Sequence, residues 1–147
     1  MMDNSYIQAT NHIEFLDFYK HENKSKRILI VDDDLEFRLA LSELLVSQGY
    51  SISTAKDGKA AIRVLSMMED LPQLILLDSH MPEGNGKEFL KLQRKLQSLN
   101  HIPVVVISGD MMAQDEYQKE GIAACLAKPL DMLEVIDVVQ KKITPVA

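Results

Sequence analysis

The chain has a single cysteine, Cys125, among its 147 residues. No intrachain disulfide can form, and the fold must rest on its core alone. No apolar run approaches the ~18 residues of a membrane-spanning helix. The N-terminus is polar and acidic, without the apolar centre of a secretory signal. Clustered positive charge is also missing. Sixteen Lys and Arg stand against 22 Asp and Glu, a formal net charge of −6, which argues against a nucleic-acid surface. These absences fit a cytoplasmic protein that engages neither DNA nor a membrane. What is present, 46% hydrophobic and 26% charged residues, is the composition of an ordinary globular domain. A chain of this length buries roughly two-thirds of its unfolded surface, enough for one proper core.

Hydrophobic patterning supplies the organisation. Residues 1–26 form a mixed leader, partly helical or disordered, in which Ile13, Phe15, Leu16, Phe18 and Tyr19 could make one or two helical turns. A strand is expected at Arg27–Val31. Phe37, Ala40, Leu41, Leu44 and Leu45 then recur at helical spacing and stop at Gly49. Tyr50–Ala55 alternates as a second strand, and Ala61, Val64, Leu65 and Met68 mark a second helix that Pro72 ends. Residues 74–77 (LILL) are wholly apolar, as in a strand buried on both faces. Phe89, Leu92, Leu96 and Leu99 suggest a third helix, residues 104–107 (VVVI) a fourth strand, and Ala113–Glu120 a weaker fourth helix. Residues 124–127 (ACLA) make a fifth strand. Asp131 and Glu134, spaced as a capping box, open a last helix striped with Met132, Val135, Ile136, Val139 and Ile143.

Five strands alternating with five helices predict a doubly wound, flavodoxin-like α/β domain over 27–143, followed by a short tail at 144–147. Its parallel sheet has helices on both faces, right-handed crossovers and the strand order 2-1-3-4-5. In that order the chain reverses direction beside the first and third strands, and ligands bind there, at the carboxyl ends of the strands. Those ends carry Asp32 and Asp33, then Asp78, then Ser108 followed by Gly109, then Lys128 followed by Pro129. Residues 28–34 (ILIVDDD) thus drive carboxylates out of the end of a core strand toward another carboxylate, and Lys128 offsets only one of them. A second source of positive charge is required. An oxygen-only ligand set selects a hard cation, Mg²⁺ or Mn²⁺. A site with Mg²⁺, a hydroxyl and a lysine is suited to an anionic phosphoryl group. Asp78 is its natural nucleophile, and the cation and Lys128 would stabilise charge on the transferring oxygens.

Blander readings attach to several of these residues. Asp33 and Glu36, three apart, also fit a capping box. Asp34 is a solvated helix start. The Gly-Asn-Gly at 84–86 is a turn, too short for a phosphate-binding loop. The His80 ring faces solvent, and Met111 and Met112 are gap-fillers.

Residues 28–34 (ILIVDDD), 74–86 (LILLDSHMPEGNG), 104–109 (VVVISG) and 126–129 (LAKP), in this order and spacing, resemble the receiver domain of two-component response regulators, with the likeness covering about 27–143. The resemblance implies that Asp78 is the phospho-acceptor, charged by a histidine kinase or histidine phosphotransfer protein. It implies that Asp32 and Asp33 hold Mg²⁺, with Asp33, Asp78 and the His80 backbone carbonyl as direct ligands. Ser108 would bond a phosphoryl oxygen, Lys128 would pair with the phosphoryl group, and Pro129 would follow through a cis peptide bond. The chain departs from the family in three ways. Cys125 stands where an aromatic residue is common, three before the lysine, although Tyr117 could replace it. The stretch from Ser108 to Lys128 is about two residues short. The chain ends soon after the last helix, so no DNA-binding or enzymatic output domain is expected.

The resulting expectation is a stand-alone, non-enzymatic signalling domain that acts on a downstream protein target. A phosphorelay intermediate or phosphate sink is the alternative. An aspartyl-phosphate phosphatase acting on metabolites ranks lower, because His80 stands where such enzymes often carry a second Asp and no capping domain is present.

Overall fold

The computed structural model describes residues 26–81 and 86–143. The leader and tail expectations, and Gly84 and Asn85 of the expected turn, lie outside the described residues apart from Lys26. Ten elements alternate: β1 (Arg27–Val31), α1 (Leu35–Ser47), β2 (Ser51–Ala55), α2 (Gly58–Met67), β3 (Leu74–Asp78), α3 (Gly86–Lys95), β4 (Val104–Ser108), α4 (Met111–Gln118), β5 (Ala124–Ala127) and α5 (Met132–Lys142). The strands form one parallel sheet in the order β2-β1-β3-β4-β5, as the alternation predicted.

The sheet is apolar on both faces because helices cover both. Leu29, Val31, Ile75, Leu77, Val104 and Val106 pack with α2, α3 and Tyr117 of α4. Ile28, Ile30, Leu74, Leu76, Val105 and Ile107 pack with Leu41 and Leu45 of α1 and Val135 and Val139 of α5. Every residue of β3 and β4 is buried, which explains why these strands read as unbroken apolar runs rather than alternating ones. Helix α1 ends as its sequence suggests. Gly49 takes φ 91°, and the Gly49 and Tyr50 N–H groups donate to the Val46 and Leu45 carbonyls, a Schellman closure that favours glycine.

Three helices differ from expectation. Helix α3 stops at Lys95, so Leu99 belongs to the following turns, and its buried face is Phe89, Leu90 and Gln93, while Leu92 and Leu96 are exposed. The face was hidden because a buried position carries a polar residue. Gln93 Nε2 donates to the carbonyls of Leu99 (2.8 Å) and Ile102 (3.0 Å), closing the turn that leads into β4. Helix α4 begins two residues before the expected Ala113. Asp110 caps it by accepting from the Met112 N–H at 2.9 Å, and Tyr117 is its only buried residue. Met111 and Met112 are 81% and 78% exposed, not gap-fillers, because the early start lifts them onto the rim. In α5, Val135 and Val139 are buried, whereas Met132 is exposed beside the Asp131 cap.

Replacing Gln93 by Leu keeps the volume but removes both donors from buried carbonyls. A loss of about 1–3 kcal/mol in unfolding free energy is expected, measured by urea denaturation. Stability equal to wild type would show that these carbonyls find other partners.

Candidate functional site

The register brings the sequence-predicted residues together. Val31 pairs with Leu77, so Asp32 and Asp78, each one residue further along its strand, emerge side by side. Asp78 pairs with Ile107 and Ser108 with Ala127, which brings Ser108 and Lys128 to the same rim. Asp32, Asp33 and Asp78 each offer a carboxylate oxygen within 4.8 Å of the others'. Asp32 and Asp78 are buried and Asp33 is exposed. Lys128 Nζ lies 3.4 Å from Asp78 Oδ1 and 3.7 Å from Asp32 Oδ2.

The surrounding chain fixes these groups. Asp32 Oδ1 accepts from the Asp34 N–H at 2.8 Å. Arg38 Nη1 donates to the Asp32 carbonyl at 2.6 Å. The Lys128 N–H donates to the Ser108 carbonyl at 2.9 Å, and Lys128–Pro129 is a cis peptide bond, as the resemblance implied. Asp34, not Asp33, is the N-cap of α1, accepting from the Phe37 N–H at 3.3 Å. Asp33 is therefore released from the capping role, and its carboxylate joins the cluster. The Ser108 hydroxyl is buried and turned back on its own loop, donating to the Asp110 carbonyl and accepting the Asp110 N–H, both at 3.1 Å. His80 is exposed.

Burial and crowding set the electrostatics. Loss of solvent pushes the Asp32 carboxyl up to about 6. The Asp34 N–H bond opposes this, the Asp78 charge adds to it and Lys128 works against it. Asp78 is also raised, again chiefly by burial, with the Lys128 charge and the His80 N–H pulling it down. Asp32 Oδ2 is buried and has no hydrogen-bond partner. A buried carboxylate oxygen without a hydrogen-bond donor is unfavourable, and the Lys128 ammonium at 3.7 Å is the charge this one meets. An oxygen-only set of this kind fits a hard divalent cation.

Sequence reasoning missed some neighbours. The Phe37 ring lies under Lys128, with Nζ 4.4 Å from its centre. Arg38 and Phe37 follow Asp33 closely enough that the first turn of α1 carries them back to the rim, a signal visible once the helix start is known. Tyr117 shares its apolar cluster with the small Cys125. It is buried, its hydroxyl lies 3.4 Å from the Ser79 carbonyl, and burial followed by the Asp78 charge pushes its pKa up to about 12. A Cβ on Gly86 would stand 2.5 Å from that hydroxyl oxygen and 3.2 Å from the Asp78 carbonyl, so the start of α3 depends on glycine. The Cys125 thiol is half-buried and held up in pKa by burial, which makes it a packing residue rather than a nucleophile. No helix among the described residues is long and apolar enough to cross a membrane.

Comparison with known proteins agrees with this site. The family model for the response regulator receiver domain matches residues 28–140. The chain is 30% identical over 117 residues to sporulation initiation phosphotransferase F of Bacillus subtilis, covering 80% of this chain and 93% of that protein. It is 35% identical over 112 residues to the CpxR homolog of Haemophilus influenzae, a transcriptional regulatory protein, covering 75% of this chain and 47% of that one. The chemotaxis protein CheY4 of Vibrio cholerae superposes with a TM-score of 0.72 at 26% identity, over 80% of this chain and 98% of that one. With the family match spanning most of the chain and the acidic cluster and lysine at the expected strand ends, the chain belongs to the response regulator receiver domains, phospho-accepting signalling modules rather than enzymes.

Proposed function

We propose that Asp78 is the phospho-acceptor, that Asp32, Asp33, Asp78 and the His80 backbone carbonyl hold Mg²⁺, and that the donor is a histidine kinase or histidine phosphotransfer protein. The observation that carries this reading is the pair of buried carboxylates, Asp32 and Asp78, sharing one ammonium, with Asp32 Oδ2 left without a hydrogen-bond donor. An Asp78 carboxylate oxygen would attack the phosphorus of a phosphohistidine. The P–O bond forms as the P–N bond breaks, and the departing imidazole keeps the electron pair and takes a proton from solvent. Lys128 is placed to neutralise a phosphoryl oxygen on the acceptor. The Ser108 hydroxyl would rotate away from Asp110 to donate to another. Bound Mg²⁺ would supply charge neutralisation on the phosphoryl oxygens. The phosphorylated form would then be read by a downstream protein target.

A second reading, a phosphorelay intermediate that returns its phosphoryl group to another histidine, is favoured by the likeness to a named phosphotransferase over 93% of that protein's length. Phosphotransfer profiling against the kinases and phosphotransfer proteins of the source organism separates the two, because only the relay delivers label onward to a histidine.

With acetyl phosphate and Mg²⁺, wild type should gain one phosphoryl group on the peptide containing Asp78, and Asp78→Asn should gain none. Equal labelling of the same peptide in the variant, read by mass spectrometry, would assign the acceptor elsewhere.

Saturating Mg²⁺ should raise the melting temperature, because a ligand that binds only the native state stabilises it. At ten times the dissociation constant the gain is about 1.4 kcal/mol. Asp33→Ala should abolish this gain and leave the metal-free protein as stable as wild type or more so, since one repelling carboxylate is gone. A full metal response in that variant would place the cation elsewhere.

The pH dependence has a definite sign. Asp32 titrates near 6 in the folded chain against 3.8 for the ordinary group, so the native state binds this proton more tightly than the unfolded state. Its contribution is largest below about 4 and is lost as pH rises through about 6. In metal-free buffer the wild type should therefore gain about 1.3 kcal/mol of stability between about pH 7 and pH 5, relative to Asp32→Asn. Mg²⁺, which needs the deprotonated carboxylate, should shrink or reverse that gain. Parallel pH profiles for the two proteins without metal would contradict the burial of Asp32.

A further inference from the structure

Lys128 has one neighbour at the site that carries no charge. Besides the oxygens of Asp78 and Asp32, at 3.4 and 3.7 Å, its ammonium faces the Phe37 ring with 4.4 Å to the centre. We propose that Phe37 is a positioning residue for Lys128, whose ring face keeps the ammonium at the rim once a divalent cation has taken the carboxylates. The inference rests on the reading that these carboxylates hold the cation and that Asp78 accepts the phosphoryl group.

The argument starts from how each attraction responds to the metal. In the metal-free site Lys128 lies beside two carboxylates, Asp78 and Asp32, and Coulomb attraction alone would hold it. A divalent ion bound to the same carboxylates offsets their negative charge. It also places a like charge within a few ångströms of the ammonium, so the ionic tether weakens when Lys128 is needed for the incoming phosphoryl group. Lysine has a flexible four-carbon stem and a large rotamer freedom to fall back on. The ring quadrupole of Phe37 is untouched by metal binding, and a cation within about 6 Å of a ring face is attracted to it.

Local structure also favours a fixed ring. Phe37 lies in the first turn of α1, where its own N–H bonds the Asp34 cap. It is half-buried and packs against the core shared by α1 and α5. The backbone of Lys128 is fixed at the end of β5 by the Ser108 carbonyl, so both partners are anchored and only the lysine stem is free. A leucine at position 37 could supply the same apolar cover without the ring face. The comparison of Leu with Tyr therefore separates positioning from packing.

The test uses the full chain saturated with Mg²⁺. By NMR, the Lys128 ε-methylene protons, assigned by their loss in Lys128→Met, should lie upfield of the free-lysine position through the ring current. They should stay upfield in Phe37→Tyr and return to the free position in Phe37→Leu. Phosphorylation by acetyl phosphate should slow about 3–10-fold in Phe37→Leu and stay within about twofold of wild type in Phe37→Tyr. It should show no further loss when Phe37→Leu is added to Lys128→Met. A free-lysine position in the Mg²⁺-saturated wild type overturns the proposal. So does equal slowing in the Leu and Tyr variants, or an undiminished Leu effect in the Lys128→Met background. A wild type that takes no phosphoryl group overturns the function proposed above, while the lysine signals still decide the Phe37 contact on their own.

Discussion

Like-charge crowding at the end of a buried sheet is the constraint on which the rest of this molecule turns. β1 and β3 are neighbours in the centre of the sheet, and both are sealed by helices, so the carboxylates that follow them have little solvent to share. Burial raises both Asp32 and Asp78, and the single ammonium cannot satisfy them. An ordinary core would replace such groups with apolar ones, since buried charge without full pairing is destabilising. Their retention at one rim, with a carboxylate oxygen left without a hydrogen-bond donor, makes sense for a site completed from outside by positive charge and emptied of repulsion when it is filled. The two-sided core supplies the stiffness that keeps the carboxylates close despite their repulsion, because Asp32 and Asp78 project from strands whose every neighbour is packed.

Most of the fold and the acidic rim was legible in the sequence for one reason. Strand ends are marked by abrupt changes from apolar to charged residues, and the topology of a doubly wound sheet then decides which ends meet. Asp32, Asp78, Ser108 and Lys128 come from four separated segments, yet the strand order alone places them on one edge. The parts that were not legible depend on side-chain direction or on polar residues used inside the core. Gln93 concealed the buried face of α3, because an amide serving two carbonyls looks like a surface residue in any hydrophobic pattern. Phe37 looked like one more member of the α1 stripe. Its ring meets Lys128 only because the Asp34 cap fixes where the helix begins. Asp33 was ambiguous between a cap and a ligand until Asp34 took the cap.

The missing aromatic on β5 shows how a local departure is absorbed. Cys125 is too small to fill the space beside β4. The ring of Tyr117, from α4, lies in the same apolar cluster as Cys125. That arrangement brings its own condition. The phenol reaches so close to α3 that a side chain at Gly86 would collide with it, and the hydroxyl meets the carbonyl of Ser79, the residue after Asp78. Glycine at the start of α3, cysteine in β5 and tyrosine in α4 therefore form one packing solution, not three independent choices.

This solution ties α4 to the site at both of its ends. At the start of the helix, the Ser108 hydroxyl holds the main chain of Asp110 by two hydrogen bonds, and Asp110 in turn caps the N–H of Met112. Near the other end, Tyr117 rests on the segment that follows Asp78. A group that takes the Ser108 hydroxyl as donor competes with the bond it gives the Asp110 carbonyl, and the Tyr117 hydroxyl reaches the Ser79 carbonyl at 3.4 Å. α4 has a single buried side chain, and it is also tied by the Lys87–Glu116 ion pair and by the Gln114 amide donating to the Ser108 carbonyl. The first residues of that helix, Met111 and Met112, are exposed. α4 is thus held on both sides of Asp78, through Ser108 and through Ser79.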